Sequence, residues 1–413
     1  MDGAVPRKKT VLAPCMGVGK IVANVTRRAA YQIKDQCPDD VELLSIPALL
    51  AGDPHERELI QNNPTIIIDG CALRCAAHIF RHLGVEAIAK IEVNQVMKEE
   101  RIGPGKTRKE LEDTGKRLAV FTADRVLKAL QDEGLEAGFS PLEELAQPAP
   151  DFSGGCPALE REQSNAAAVE RAAVAPGRVP AVSVMPCQGI KRSGGRITQR
   201  AAYQVVEDRF LGKSQVVCIS ALAAGVQEDI DMVERFPTVA VNGCGLNCAT
   251  KAAEHFGVAA VKSVNLQDVS PAYDGAAYCL EADLSAGEIA QADTLAAAVS
   301  REVEELLTNE LNWSPKKVDL HGLVVEPAKI NALTGYANNG QGILVQLAKQ
   351  AGAAVTPPVA VNSEKKDDAE VAAARAVCQS DFPGLRNVTA NLFSTKSSAP
   401  KSGVNTNSGP ASQ

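Results

Sequence analysis

Thr65-Ile66-Ile67-Ile68-Asp69-Gly70-Cys71-Ala72-Leu73-Arg74-Cys75 returns 173 residues later as Thr238-Val239-Ala240-Val241-Asn242-Gly243-Cys244-Gly245-Leu246-Asn247-Cys248. Each stretch begins with an apolar run that lacks polar alternation and ends in Cys-x-x-x-Cys. Such a run fits a strand covered on both faces, as in a parallel sheet flanked by helices. The spacing places a helix directly after it, from Cys71 to Leu83, stopped by Gly84. A strand that feeds a helix, written twice, predicts a duplicated α/β unit.

Working outward, the duplication extends over both flanks. Pro14-Cys15-Met16-Gly17 and Pro186-Cys187-Gln188-Gly189 lie 172 residues apart, as do Arg28-Ala29-Ala30-Tyr31-Gln32 and Arg200-Ala201-Ala202-Tyr203-Gln204. In the first copy, strands are expected at Thr10–Ala13, Val41–Ile46, Thr65–Ile68 and Ala87–Val93, with helices at Ile21–Ile33 and Pro54–Gln61 between them. The second copy repeats this order. Helical stretches at Thr107–Gln131 and Ala286–Leu311 follow, each placed to cover the sheet before it. The fold class is therefore two tandem Rossmann-like three-layer α/β domains with mostly parallel sheets, plus a C-terminal extension. The expected divisions are a first domain over 1–140, a linker over 141–178 and a second domain over 179–312. An uncharacterised region over 313–393 and a disordered tail over 394–413 complete the chain.

Composition narrows the function classes. The 413 residues are 45% hydrophobic and 23% charged, as in an ordinary globular protein, with a net charge of −7. That sign gives no general case for nucleic-acid or anionic-membrane partners. No apolar run approaches the roughly 20 residues that span a bilayer. The N-terminus lacks the apolar core of an export signal, so a cytoplasmic location and reduced cysteines are expected. Eleven cysteines, an odd number, suit metal-held thiolates better than a disulfide framework.

Seven of those cysteines fall where chemistry is expected. In an open parallel sheet, sites form beyond the carboxyl ends of the strands. Cys15 and Cys187 follow the first strands. Cys71, Cys75, Cys244 and Cys248 follow the third. Cys218 ends a second strand, and counting back from Ala51-Gly52 and Ala224-Gly225 aligns it with Ser45. Read repeat by repeat, the second copy gathers Cys187, Cys218, Cys244 and Cys248 into a closed tetrahedral zinc site. The first offers Cys15, Cys71 and Cys75 with one position open, the arrangement of catalytic zinc. Cys37, Cys156, Cys279 and Cys378 have no repeated counterpart and read as ordinary thiols. His82 and His255 recur near helix C-termini, where the dipole favours a cation. His78 aligns with Lys251 and reads as solvated. Asp69 and Asn242 read as helix caps.

The run Asp69-Gly70-Cys71-Ala72-Leu73-Arg74-Cys75-Ala76 resembles the signature of the DGC family, which carries Cys-x-Gly after its first strand, a Cys after its second and Asp-Gly-Cys-x-x-x-Cys after its third. Cys15 and Gly17 with Cys71 and Cys75 match in the first copy. Cys187, Gly189, Cys218, Cys244 and Cys248 match in the second. The resemblance implies zinc bound through four cysteines and no settled reaction. Ser45 departs from the pattern in the first copy and Asn242 in the second.

The expected function is zinc binding by cysteine thiolates in both domains, for metal handling or support of a partner enzyme. The partners are then a metal ion and a protein, with no nucleic acid and no membrane. Two alternatives use the same sulfurs: an iron–sulfur or thiol redox protein, and an enzyme with an open three-cysteine zinc in the first copy. No complete catalytic constellation is visible.

Overall fold

The computed structural model describes residues 9–134, 181–258, 260–273, 283–309 and 318. The linker, the C-terminal region apart from Val318, the tail, Cys156, Cys279 and Cys378 lie outside the described residues.

The first repeat runs β1 (Thr10–Pro14), α1 (Val22–Gln36), β2 (Val41–Leu43), α2 (Ile46–Leu50), α3 (Pro54–Asn62), β3 (Thr65–Asp69), α4 (Cys75–His82), β4 (Ala89–Glu92), α5 (Val93–Glu100) and α6 (Asp113–Asp132). The second runs β5 (Val182–Pro186), α7 (Gly194–Tyr203), β6 (Ser214–Val216), α8 (Ile219–Ala223), α9 (Gln227–Arg235), β7 (Thr238–Asn242), α10 (Cys248–His255), β8 (Ala260–Asn265), α11 (Leu266–Val269) and α12 (Ala286–Thr308). One π-helical turn, Gln204–Arg209, extends α7. Each repeat has a four-stranded, all-parallel sheet, in the orders β2-β1-β3-β4 and β6-β5-β7-β8. The tandem α/β expectation is met.

Burial explains the central strands. All five residues of β1, β3, β5 and β7 are buried. Helices α6 and α12 pack on α1 and α7, as expected of the stretches that follow each repeat. The repeats share a core, because Ile190 packs among Leu12, Met16 and Tyr31 of the first.

The seam between repeats has reciprocal bonds. Tyr31 Oη donates to Ile190 O at 2.6 Å, and Tyr203 Oη donates to Val18 O at 2.9 Å. Both residue pairs differ by 172, so the two bonds are related by pseudo-twofold symmetry. On that axis Arg27 Nη1 donates to its own counterpart, Gln199 Oε1, at 2.6 Å. Helix α4 lies on α8, and α10 lies on α2. The helix after each second strand thus packs against the opposite repeat.

Two of the differences from expectation have a local cause. The strand expected over 41–46 ends at Leu43, because Pro47 sits in the first turn of α2 and presets its backbone. The helix expected from Cys71 begins at Cys75, since Arg74 is left-handed at φ 49°, as Asn247 is at φ 52° in the second repeat. Cys71 and Cys244 therefore precede their helices.

Candidate metal centre

The chain leaves β1 for β2 on one side and reaches β3 and β4 on the other, so the strand order reverses between β1 and β3. A crevice opens at the carboxyl ends there. Cys15 and Cys187 stand at its wall, each pinned when its N–H donates across the sheet, to Ile68 O and Val241 O, at 2.7 Å in both cases. Thr26 and Thr198 hydroxyls donate to the carbonyls of Cys15 and Cys187. Asp69 accepts from Ala76 N at 2.9 Å and Ala77 N at 3.1 Å, which anchors the start of α4. Asn242 does the same for Ala249 and Thr250 at 3.0 and 3.3 Å. Both caps are as the sequence predicts, but each reaches back across the Cys-x-x-x turn.

The second-strand residues cross the seam. Cys218 Sγ lies 3.5 Å, and Cys15 Sγ 3.6 Å, from the point a Cβ on Gly17 would occupy. Together those distances cap the sulfur–sulfur separation at about 7 Å. The equivalent point at Gly189 has Cys187 Sγ at 3.7 Å and Ser45 Oγ at 3.8 Å. Cys15, Cys71, Cys75 and Cys218 line one cavity of about 80 Å³, together with Gly17 and Lys20. The repeat-by-repeat grouping is therefore corrected. Cys218 joins the thiols of the first repeat, and Ser45 joins Cys187 of the second. The physical reason is the packing of α8 on α4 and of α2 on α10, which carries each helix N-terminus to the opposite crevice.

Charge reinforces this grouping. Burial raises the Cys15 and Cys75 pKa values well above the usual thiol range, and the charges of Asp69, Cys71 and Cys218 push both further. Burial also raises Cys218, to about 12, with Asp229 adding repulsion. In the second set, a hydrogen bond between Cys248 and Cys187 lowers the Cys187 pKa and raises that of Cys248. Burial raises Cys244, while Arg192 opposes the rise through a hydrogen bond. Lys191 pairs with Glu56 across the seam at 2.8 Å. Among the described residues, no three His, Cys, Asp or Glu side chains are drawn in closely enough to hold a metal ion as they stand.

Arg27 is a member of this region that the motif search passes over. It is 4% exposed and its charge opposes ionisation loss at Cys187 from the other repeat. Burial lowers its own pKa to about 10, and Arg196 adds repulsion, so it is a cation at neutral pH. Its sequence signal was the break in the repeat, Arg27 against Gln199. Among the described residues, no histidine lines the thiol cavity. His78, expected to be solvated, is half-buried, and burial lowers its pKa to about 4. Burial lowers that of His82 as well.

No curated protein matches the chain. Among solved structures, it is similar to a proposed phosphosugar isomerase from Bacillus subtilis, at 10% identity over 75% of this chain and 92% of that one. The TM-score of that match, 0.20, is too low to establish a shared fold. The model of the DGC domain matches twice, over residues 11–115 and 183–290. Those two matches span more than half of the chain and bracket both thiol sets, and the chain belongs to the DGC family as a tandem duplication of its domain.

Proposed function

We propose that this protein binds zinc through cysteine thiolates, for metal handling or the support of a partner enzyme. The supporting observation is the meeting of Cys218 with Cys15 across the seam, in a cavity that Cys71 and Cys75 also line. The donor set suits the ion. Four thiolates are the full complement of a structural zinc site at about 2.3 Å per bond. Cys15 and Cys218 Sγ, at most about 7 Å apart, would draw together on coordination. Burial and mutual repulsion oppose ionisation of these thiols, and a divalent cation between them removes that penalty. The second set brings Cys187, Cys244 and Cys248 with the Ser45 hydroxyl beside them. If it takes an ion, the position open to exchange lies there rather than in the first set. A reducing compartment such as the cytoplasm suits the eight free thiols among the described residues.

The test is elemental analysis of protein purified anaerobically, with a visible spectrum. A Cys187→Ser/Cys244→Ser/Cys248→Ser variant should keep about one equivalent of zinc, and adding Cys218→Ser should remove it. Absence of stoichiometric zinc from the natural chain overturns the proposal, and strong visible absorption assigns the thiols to an iron–sulfur cluster instead.

A further inference from the structure

We propose a second ligand site, lined by no cysteine among the described residues: the cavity where α1 meets α7 binds an oxyanion of the phosphate class. The cavity measures about 180 Å³. That is several times the roughly 15 Å³ a single buried water requires, so a phosphate with a small organic group attached has room.

Its wall has the opposite sign to the protein. The chain carries −7, yet Arg27 and Arg28 from α1 face this space with Arg196 and Arg200 from α7. Arg28 and Arg200 occupy the same repeat position, so the cations flank the pseudo-twofold axis. Arg108 and Lys109 join from the segment leading into α6 and Lys116 from its first turn, against Glu110 and Asp283 as the acids of the lining. Part of this charge is already balanced. Arg28 pairs with Asp283 at 3.3 Å, Arg108 with Glu207 at 2.7 Å and Lys109 with Asp208 at 2.6 Å.

Arg27 is different. It has no carboxylate pair among the described residues. Nη1 donates to Gln199, while Nε and Nη2 are buried with no hydrogen-bond partner among them. A buried guanidinium left this way is costly, and the cost falls when an acceptor arrives. The guanidinium fork matches two oxygens of one phosphate, and several arginines around one space favour a doubly charged group. Free phosphate and a phosphate monoester share this chemistry.

Binding to the full chain is measured by calorimetry with inorganic phosphate, pyrophosphate and ribose 5-phosphate, against chloride at matched ionic strength. One saturable site is expected. A tighter monoester assigns the ligand as an ester, and tighter inorganic phosphate assigns the free ion. Arg27→Gln places a glutamine opposite Gln199 and should weaken binding at least tenfold. If that variant does not fold, Arg200→Gln at the same wall should weaken it about threefold. Zinc content is measured in parallel. No saturable binding, or equal binding by the folded variants, overturns the site. Loss of zinc in Arg27→Gln with phosphate binding unchanged also overturns it, by assigning Arg27 to the thiols alone.

Discussion

Cys218 Sγ and Cys15 Sγ, from different repeats, approach one point above Gly17 from 3.5 and 3.6 Å. A thiol set divided between two sheets would tie any metal it held to their docking. It also separates the two sets chemically, because the matching residue at Gly189 is the Ser45 hydroxyl. The first set has four thiols within one cavity, and the second has three.

Ser45→Cys should complete the second set. The hydroxyl lies 3.8 Å from the Gly189 Cβ point, with Cys187 Sγ at 3.7 Å, so the new sulfur arrives on the correct side of the seam. Retention of zinc against a chromophoric chelator should improve by about tenfold or more, as expected of a fourth ligand. An unchanged competition curve would place Ser45 outside the coordination sphere.

Removing the reciprocal seam bonds should loosen the docking of the repeats. Tyr31→Phe and Tyr203→Phe each delete one buried hydroxyl bond to a carbonyl of the other repeat. Each should lower stability by about 1 kcal/mol, read from urea midpoints. A loss in one variant alone would show that the pseudo-symmetry does not extend to energetics.

Asp69 caps α4 with both carboxylate oxygens, whereas Asn242 caps α10 with one. Asp69→Ala leaves two buried N–H groups, of Ala76 and Ala77, without their acceptor and should cost about 1–2 kcal/mol. Asp69→Asn keeps the acceptor for one N–H but not the second, and the first repeat has Ala77 where the Thr250 hydroxyl takes the Asn242 amide, so it should lose about half as much. Equal losses in both variants would mean that the carboxylate charge itself is required.

His78 should make the fold acid-sensitive. Burial, with Arg81 and Arg74 adding repulsion, lowers its pKa to about 4 in the folded protein. The unfolded chain takes up that proton near pH 6.5. Between these values the unfolded state binds more protons, so stability falls as pH drops from 6.5 towards 4. For a side chain still partly in water the loss is on the order of 1 kcal/mol. His78→Gln should flatten this part of the stability curve, and the same slope in both proteins would exclude His78 as its source.

The duplication, the strands and the seven thiols are legible in the chain because they depend on local pattern: apolar runs, a fixed offset and Cys-x-x-x-Cys. The division of the thiols between the repeats is not. Cys218 and Ser45 align correctly by counting, but nothing in spacing records which way a helix turns after its strand. That direction is set by α8 packing on α4 and α2 on α10, contacts between residues more than a hundred positions apart. The helix start at Cys75 rather than Cys71 was hidden for a local reason. Asn247 is a residue that tolerates left-handed backbone, whereas Arg74 in the same conformation gives no such hint. Arg27 was passed over because a search for repeated residues discards the position where the repeats disagree.

The exchange at Gly17 and Gly189 has a genetic consequence. A mutation at codon 45 or codon 218 is inherited with one half of the gene and expressed in the chemistry of the other. A cysteine lost from one half would be a deficiency in its sibling.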